Sequence, residues 1–451
     1  MDKYRKIKDA VIEEANKRNI NAWEIIISEG ESVSASAFRH EIIKEASSFS
    51  SYLSLRVIVG NKEGLASTQA LSTDEIPSLV ERAYDNALSS DKKDEIVLFA
   101  GGLEYPSKET FNCLNYDIKK IKQIALKHHE EVYLKDKRVI DGSTCSAAYG
   151  KTIRYYASSN SLELFDSNDD AYVMANCKVS DGVDIQNAYS IKEGLIDNVD
   201  LTDGVDKAIS QLSPKKVKSG TYNVVFNQDC MQQILDTFLS VFTGKSSYYG
   251  LTRYKDREGE KVASEKVTII DDPLYPGYRV SSTFDGDGYP CQKKNVIENG
   301  VLNTLLYNLE YGSKCKKQST GNGYRSALTG ASGIISYSFY IKPSENTLED
   351  LFKASNDGVY ITQMKGFHAG ANSISGDFSI ESAGFIIKDG KEAEAINEFT
   401  VSGNFYSLLE NVLLVANDLE FDVTLSSQRM GSPSVLVKDL SISGKNLWKN
   451  Y

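Results

Sequence analysis

The stretch Ser213-Pro-Lys-Lys-Val-Lys-Ser-Gly220, with the residues that follow it, divides this 451-residue chain. Pro, Gly and three lysines fall together there without an apolar period, which is the composition of a linker. Tyr222-Asn-Val-Val-Phe226 then reads as a short buried strand. A helix is predicted over 228–242, because Met231, Ile234, Leu235, Phe238, Leu239 and Phe242 recur at helical spacing on one wide face. From there to the C-terminus, short strands alternate with Gly-rich turns, and helices are predicted only near 348–355 and 406–417. Residues 215–451 are therefore expected to form a β-rich α+β domain.

Upstream of the linker the pattern is different. An amphipathic helix over 2–18 precedes strand-like runs at 22–28, 33–39 and 52–60, a turn at Asn61-Lys-Glu-Gly64, and a return strand at 64–71. Ser72-Thr-Asp-Glu75 has the form of a capping box and predicts a helix to about Ser89. After a connection containing Gly101-Gly102 and Pro106, a second helix is predicted at 117–134. Strand-like runs follow at 139–149, 152–158, 162–165, 171–179 and 184–191, with a turn at Gly150-Lys151 and a closing helix near 201–212. The overall expectation is α+β: two smaller helix-plus-antiparallel-sheet units, at 1–100 and 101–214, then the β-rich C-terminal domain.

Composition narrows the function classes. The apolar fraction of 41% and charged fraction of 25% are those of a globular protein. A net charge of −11 disfavours direct nucleic-acid binding, which rests on clustered Lys and Arg. No stretch approaches the ~18 apolar residues of a membrane span, so no membrane association is expected. Six scattered cysteines with no C-x-x-C pair, and an N-terminus without an apolar signal core, point to a reduced, cytoplasmic protein.

Four histidines bound the metal and acid–base chemistry. His128 and His129 are adjacent on a charged helix, about 100° apart, and are read as part of a solvated face. His40 is read as a surface residue. His368 lies in the Gly-rich segment Gly366-Phe-His-Ala-Gly-Ala-Asn372, shortly before Asp377. H-E-x-x-H, the P-loop and G-x-S-x-G are all absent. A triad of Ser375, His368 and Asp377 has only proximity in its favour. Phe284-Asp-Gly-Asp-Gly288 lacks the regular oxygen ligands and terminal Glu of a calcium loop. Ser319-Thr-Gly-Asn-Gly-Tyr-Arg325 and Ser375-Gly-Asp-Phe-Ser379 mix Gly with hydroxyls, an amide and a charge, and Arg325 offers a forked donor for a carboxylate.

Taken in order, Asp271-Asp-Pro273, Phe284–Gly288, Ile297-Glu-Asn-Gly-Val-Leu302, Ser319–Asn322 with Arg325, Ser375–Ser379, Gly384-Phe385 and Ser402-Gly-Asn404 resemble the C-terminal domain of the TldD/PmbA family, once called modulators of DNA gyrase. Ala66-Ser-Thr68 and the helix up to Ala87 are similar to its N-terminal domain, so the resemblance covers nearly the whole chain. It implies a metallopeptidase-like lineage with two kinds of subunit. TldD-type chains carry H-E-x-x-x-H and a distal Cys for zinc; PmbA chains, also called TldE, lack this set and pair with a TldD-type chain. Counting back from Val262-Ala-Ser264 places the motif on Leu235-Asp-Thr-Phe-Leu-Ser240. Leu235 and Ser240 then replace the histidines and Asp236 the Glu, while the last cysteine is Cys315.

The resemblance therefore implies a PmbA/TldE-type subunit with no catalytic residues or metal of its own, zinc being held only by a TldD-like partner. It would form a hetero- or homodimer acting on unfolded peptides, with Arg325, His368, Asp377 and Asn404 as peptide-cleft or interface candidates. Two alternatives are an autonomous gyrase-modulator-like binding protein and a peptidase with an unrecognised site.

Overall fold

The computed structural model describes residues 1–91, 96–108, 115–276, 281–422 and 428–444. Cys113, counted among the scattered cysteines, lies outside these residues.

The N-terminal half contains α1 (Asp2–Lys17), β1 (Ala22–Phe38), β2 (Glu41–Val59), β3 (Lys62–Thr68), α2 (Ile76–Ser89), α3 (Ile118–Lys135), β4 (Thr144–Ser158), β5 (Glu163–Ser180), β6 (Ile185–Glu193) and α4 (Asp203–Ser210). The strands form one antiparallel sheet in the order β3-β2-β1-β4-β5-β6. β1 pairs with β4 from Glu24↔Ser158 to Phe38↔Thr144, so the two helix-plus-sheet units are joined edge to edge. Side chains alternate along β1. Ile25 and Ile27 at one end pack with α1 and α2, while Ala35 and Ala37 at the other pack with α3 and α4. Long strands thus carry two pairs of helices.

The strands are longer than the sequence suggests. Gly150-Lys151 is not a turn: Gly150 pairs with Ser32 on one side and Asp170 on the other, and β4 runs straight through. The runs 22–28 and 33–39 are likewise one strand, and so are 162–165 and 171–179. Of the polar residues between the last two, Asp166 and Asn168 are held by backbone N–H groups of the C-terminal domain. Asp166 accepts from the Thr283 N–H (3.1 Å) and from Lys108 (3.0 Å). The turn before β3 is Gly60-Asn61, one residue ahead of the expected position, with Gly60 at φ 62°.

His128 and His129 correct a second expectation, since both are 0% exposed. α3 lies with them against the rest of the fold. His128 Nδ1 pairs with Glu131 (2.8 Å) and its Nε2 with the Ile196 carbonyl (3.1 Å). His129 Nε2 accepts from the His40 N–H (3.2 Å). Charged neighbours on a helix say that a solvated face exists, not which residues occupy it.

The C-terminal domain begins with β7 (Gly220–Phe226) and α5 (Gln228–Phe238). It holds two six-stranded sheets. One runs 301–302, 294–298, 269–272, 338–341, 429–432, 420–421; the other runs 391–404, 377–388, 359–365, β7, 435–443, 412–415. In the second, 391–404 also pairs with 435–443 at Thr400↔Ser443, which closes five strands into a ring. α5 shares a single apolar core with strands of both sheets, including Phe339 and Ile341 of one and Ile361 and Val401 of the other. The helix expected at 406–417 ends at Glu410, because Val412–Val415 leaves to pair with Val435–Ser443. Among the described residues no helix is long and apolar enough to cross a membrane.

Candidate functional site

α5 is where the implied metal motif falls. Asn227 caps the helix: its side-chain oxygen accepts from the Cys230 N–H (2.9 Å). Cys230, Met231, Ile234, Leu235 and Phe238 form the buried face. Asp229, Gln233 and Asp236 follow one another at i, i+4 and i+7 on the other side, and all three are exposed. Leu235 is 0% exposed and belongs to the domain core. Ser240 lies beyond the end of α5, exposed in the 3-10 turn Leu239–Phe242.

Leu235 is in the apolar core while Ser240 is exposed beyond the end of α5, so the two side chains do not face a common point. Zinc requires thiolate, imidazole or carboxylate donors converging within ~2.3 Å. Leu235 has no donor, and Asp236 is a single, exposed carboxylate. These residues do not fit a zinc ion. Among the described residues no group of three His, Cys, Asp or Glu could hold a metal.

The polar side of α5 opens into a cleft of about 750 Å³ between the N-terminal sheet and the C-terminal domain. β6 contributes Tyr189, α4 contributes Lys207, α5 contributes Asp229 and Gln233, and the C-terminal strands contribute Glu392 and Glu420. Burial works against the Lys207 ammonium, but its ion pair with Asp203 (3.0 Å) and the fields of Glu420 and Asp229 outweigh it, so its pKa lies above the ordinary lysine value. Though these residues are exposed, partial desolvation by the surrounding cleft pushes the carboxyls of Asp229, Glu420 and Glu392 up. Beyond Asp236, burial holds Asp422 at about 6. Amide side chains line the cleft as well, but Gln363 is committed to Gln211 (2.7 Å) and Gln228 to Asp418 (2.8 Å). Such a wall can hydrogen-bond a polar chain and hold a cation. The sequence reading missed it because its residues come from seven separate elements.

The four candidate residues lie elsewhere. Arg325 is 6% exposed and joins the two halves of the chain, with Nη2 on Asp287 (2.8 Å) and Nε beside Glu24 (3.0 Å). Glu24 also receives Arg56 (3.1 Å) and the Tyr156 hydroxyl (2.9 Å). Asp285, next to Asp287, accepts three backbone N–H groups, from Gly323, Asp287 and Tyr289. Burial first, then the Asp287 charge, raises its pKa. Arg325 also borders a small cavity of about 230 Å³.

Asp377 and Asn404 are brought together as register partners. Asn404 Nδ2 donates to Asp377 (2.8 Å) and to the Ser375 carbonyl (2.9 Å), while its oxygen caps the helix Phe405–Glu410. The Asn404 bond holds the Asp377 carboxyl below the usual range. His368 is exposed on the one-turn helix Phe367–Gly370, whose exit residue Asn372 donates its N–H to the Asp377 carbonyl (2.8 Å).

The sequence matches the family profile described as PmbA/TldA metallopeptidase C-terminal domain over residues 219–444, and PmbA/TldA metallopeptidase domain 1 over 23–87. A Haemophilus influenzae protein named metalloprotease PmbA homolog is 26% identical over 445 residues, covering 96% of this chain and 94% of that protein. A Thermotoga maritima structure named for DNA gyrase modulation superposes with a TM-score of 0.88 at 28% identity, covering 98% of this chain and all (100%) of that one. TldE from Thermococcus kodakarensis shares the fold, with a TM-score of 0.87 at 21% identity over 97% of this chain and 100% of that one. The two profile matches span well over half of the sequence, and the chain belongs to the PmbA/TldD family.

Proposed function

We propose that this chain is the PmbA/TldE-type, non-catalytic subunit of a cytoplasmic peptidase complex whose zinc is held by a TldD-type partner. One observation carries the reading: the position where the resemblance puts the first zinc-binding histidine is Leu235, whose side chain is part of the apolar core. A damaged ligand would leave a polar pocket, whereas here the position has been built into the packing.

The substrate in this reading is an unfolded peptide. An extended backbone gains most of its affinity by adding to an open sheet edge. β3 pairs with β2 only over Leu53–Val59, so among the described residues the outer edge of β2 at 41–52 has no partner strand. Combining the purified chain with a TldD-type subunit and an unfolded peptide tests the proposal. Cleavage is expected only in the mixture, and chelation abolishes it. Chelator-sensitive cleavage by this chain alone would overturn it. The name of the Thermotoga relative motivates a second reading, an autonomous partner of gyrase. Recovery of gyrase but no TldD-type chain in a pull-down would favour that reading.

A further inference from the structure

Lys294, Asp271 and Asn322 form a buried cluster of their own in the C-terminal domain. Lys294 and Asp271 are register partners in the antiparallel strands Lys294–Glu298 and Ile269–Asp272. Asn322 reaches them from the segment that leads to Arg325. Asp271 and Asn322 are 0% exposed, and the Lys294 side chain is 10% exposed.

The contacts set an amine, an amide and a proton carrier against one another. Lys294 Nζ donates to Asp271 Oδ2 (2.9 Å) and to Asn322 Oδ1 (2.8 Å). The same carboxylate oxygen accepts from Asn322 Nδ2 (2.7 Å), so it touches both the amine and the amide nitrogen. The Thr320 hydroxyl donates to Asn322 Oδ1 (2.7 Å) and is a second donor on the amide oxygen. Asn322 Nδ2 also donates to the Ile335 carbonyl (2.8 Å), and Asp271 Oδ1 accepts from the Tyr337 N–H (2.7 Å), which holds both groups in orientation. The amide carbon lies ~1.2 Å from its oxygen. Only a shift at the end of the lysine stem separates Nζ from an attack distance of ~3–3.5 Å.

We propose that Lys294 and Asn322 join in an intramolecular isopeptide bond, with Asp271 carrying the protons. Asp271 takes a proton from the Lys294 ammonium. The freed lone pair forms the bond to Asn322 Cγ, and the C=O electron pair moves onto Oδ1, where Thr320 donates. Asp271 then passes its proton to Nδ2. The C=O re-forms, the Cγ–Nδ2 bond breaks with its electron pair on nitrogen, and ammonia leaves. Asp271 finally removes the extra proton from the new amide nitrogen and hands it to the departing ammonia. The reaction is redox-neutral and needs no partner subunit. Its product ties the segment carrying Arg325 to the sheet and restrains the unfolded chain between 294 and 322, as a disulfide does.

The test is the intact mass of the purified full chain, followed by tryptic mapping. The expected mass is lower than that of the sequence by one ammonia, and the map contains a branched peptide joining Lys294 to Asn322. Asn322 precedes Gly323, and a cyclic imide formed there loses the same mass, although the Gly323 N–H is held by Asp285 (2.7 Å). Lys294→Arg keeps the charge and separates the two, because it should restore the full sequence mass. The proposal is overturned if wild type has the full sequence mass, or if the loss of ammonia persists in Lys294→Arg.

Discussion

Two concentrations of charge lie between the N-terminal sheet and the C-terminal domain, and they are built in opposite ways. At the Arg325 junction nearly every charge meets its opposite: Arg56 with Glu24 and Glu63, Arg325 with Glu24 and Asp287. In the cleft beside α5, Asp229, Glu392 and Glu420 face one another's neighbourhood with Lys207 bridged to Asp203 instead. Their raised pKa values come first from partial desolvation in the cleft, with the Asp229 charge adding at Glu420. A closed network fixes one arrangement of the two halves. Carboxyls without a cation of their own leave polar groups for something else to meet. Arg325 is thus a fastener of the fold in this geometry, and the cleft is where a ligand would find unspent groups.

The contrast can be broken most forcefully at the junction. Arg325→Ala leaves Glu24 and Asp287 buried without their shared cation, and a loss of about 3–5 kcal/mol is expected in urea unfolding. A loss below about 1 kcal/mol would mean that the network does not hold the halves together. Next in size is Leu235→His. It puts an imidazole into an apolar core and should cost about 3 kcal/mol without conferring zinc binding, which equilibrium dialysis can check.

A smaller effect is expected from His129. Burial, with His40 close by, lowers its pKa below the ordinary histidine value. The folded state therefore binds fewer protons there than the unfolded state, so its contribution is present above the unfolded pKa of about 6.5 and lost as pH falls through that range. His129→Gln should flatten that part of the stability–pH profile. An unchanged acid limb would exclude His129 as its source.

The smallest change belongs to the cleft. Partial desolvation raises the Asp229 pKa, so the folded state favours its proton, and stability is lost as pH rises above the ordinary aspartate range. Asp229→Asn should leave stability near pH 4 almost unchanged and raise it by less than about 1 kcal/mol at neutral pH. A clear destabilisation at neutral pH would show that the carboxylate has a structural partner.

The sequence revealed the helices well, because α1, α3 and α5 each carry an apolar stripe at helical spacing. It revealed strand lengths poorly. Gly150 and the run from Asp166 to Asp170 look like breaks, but they sit inside strands that neighbours pair on both sides, or that the other domain covers. The expected clustering of site residues was only partly visible. Asp377 and Asn404 lie 27 positions apart and meet through strand register, which no local pattern encodes. Arg325 carries a forked donor, but its partners Glu24 and Asp287 come from the two halves of the chain, far apart in sequence. Leu235 was the most informative single position, since an apolar residue on the buried face of an amphipathic helix, at the position where the resemblance puts a metal ligand, can be read without coordinates.

The most direct test of the central claim is the zinc content of the purified full-length chain, measured by elemental analysis after dialysis against zinc-containing and then metal-free buffer. Because Leu235, Asp236 and Ser240 present no convergent donor set, only trace, substoichiometric zinc is predicted. Retention of one zinc per chain, released by a chelator, would contradict it.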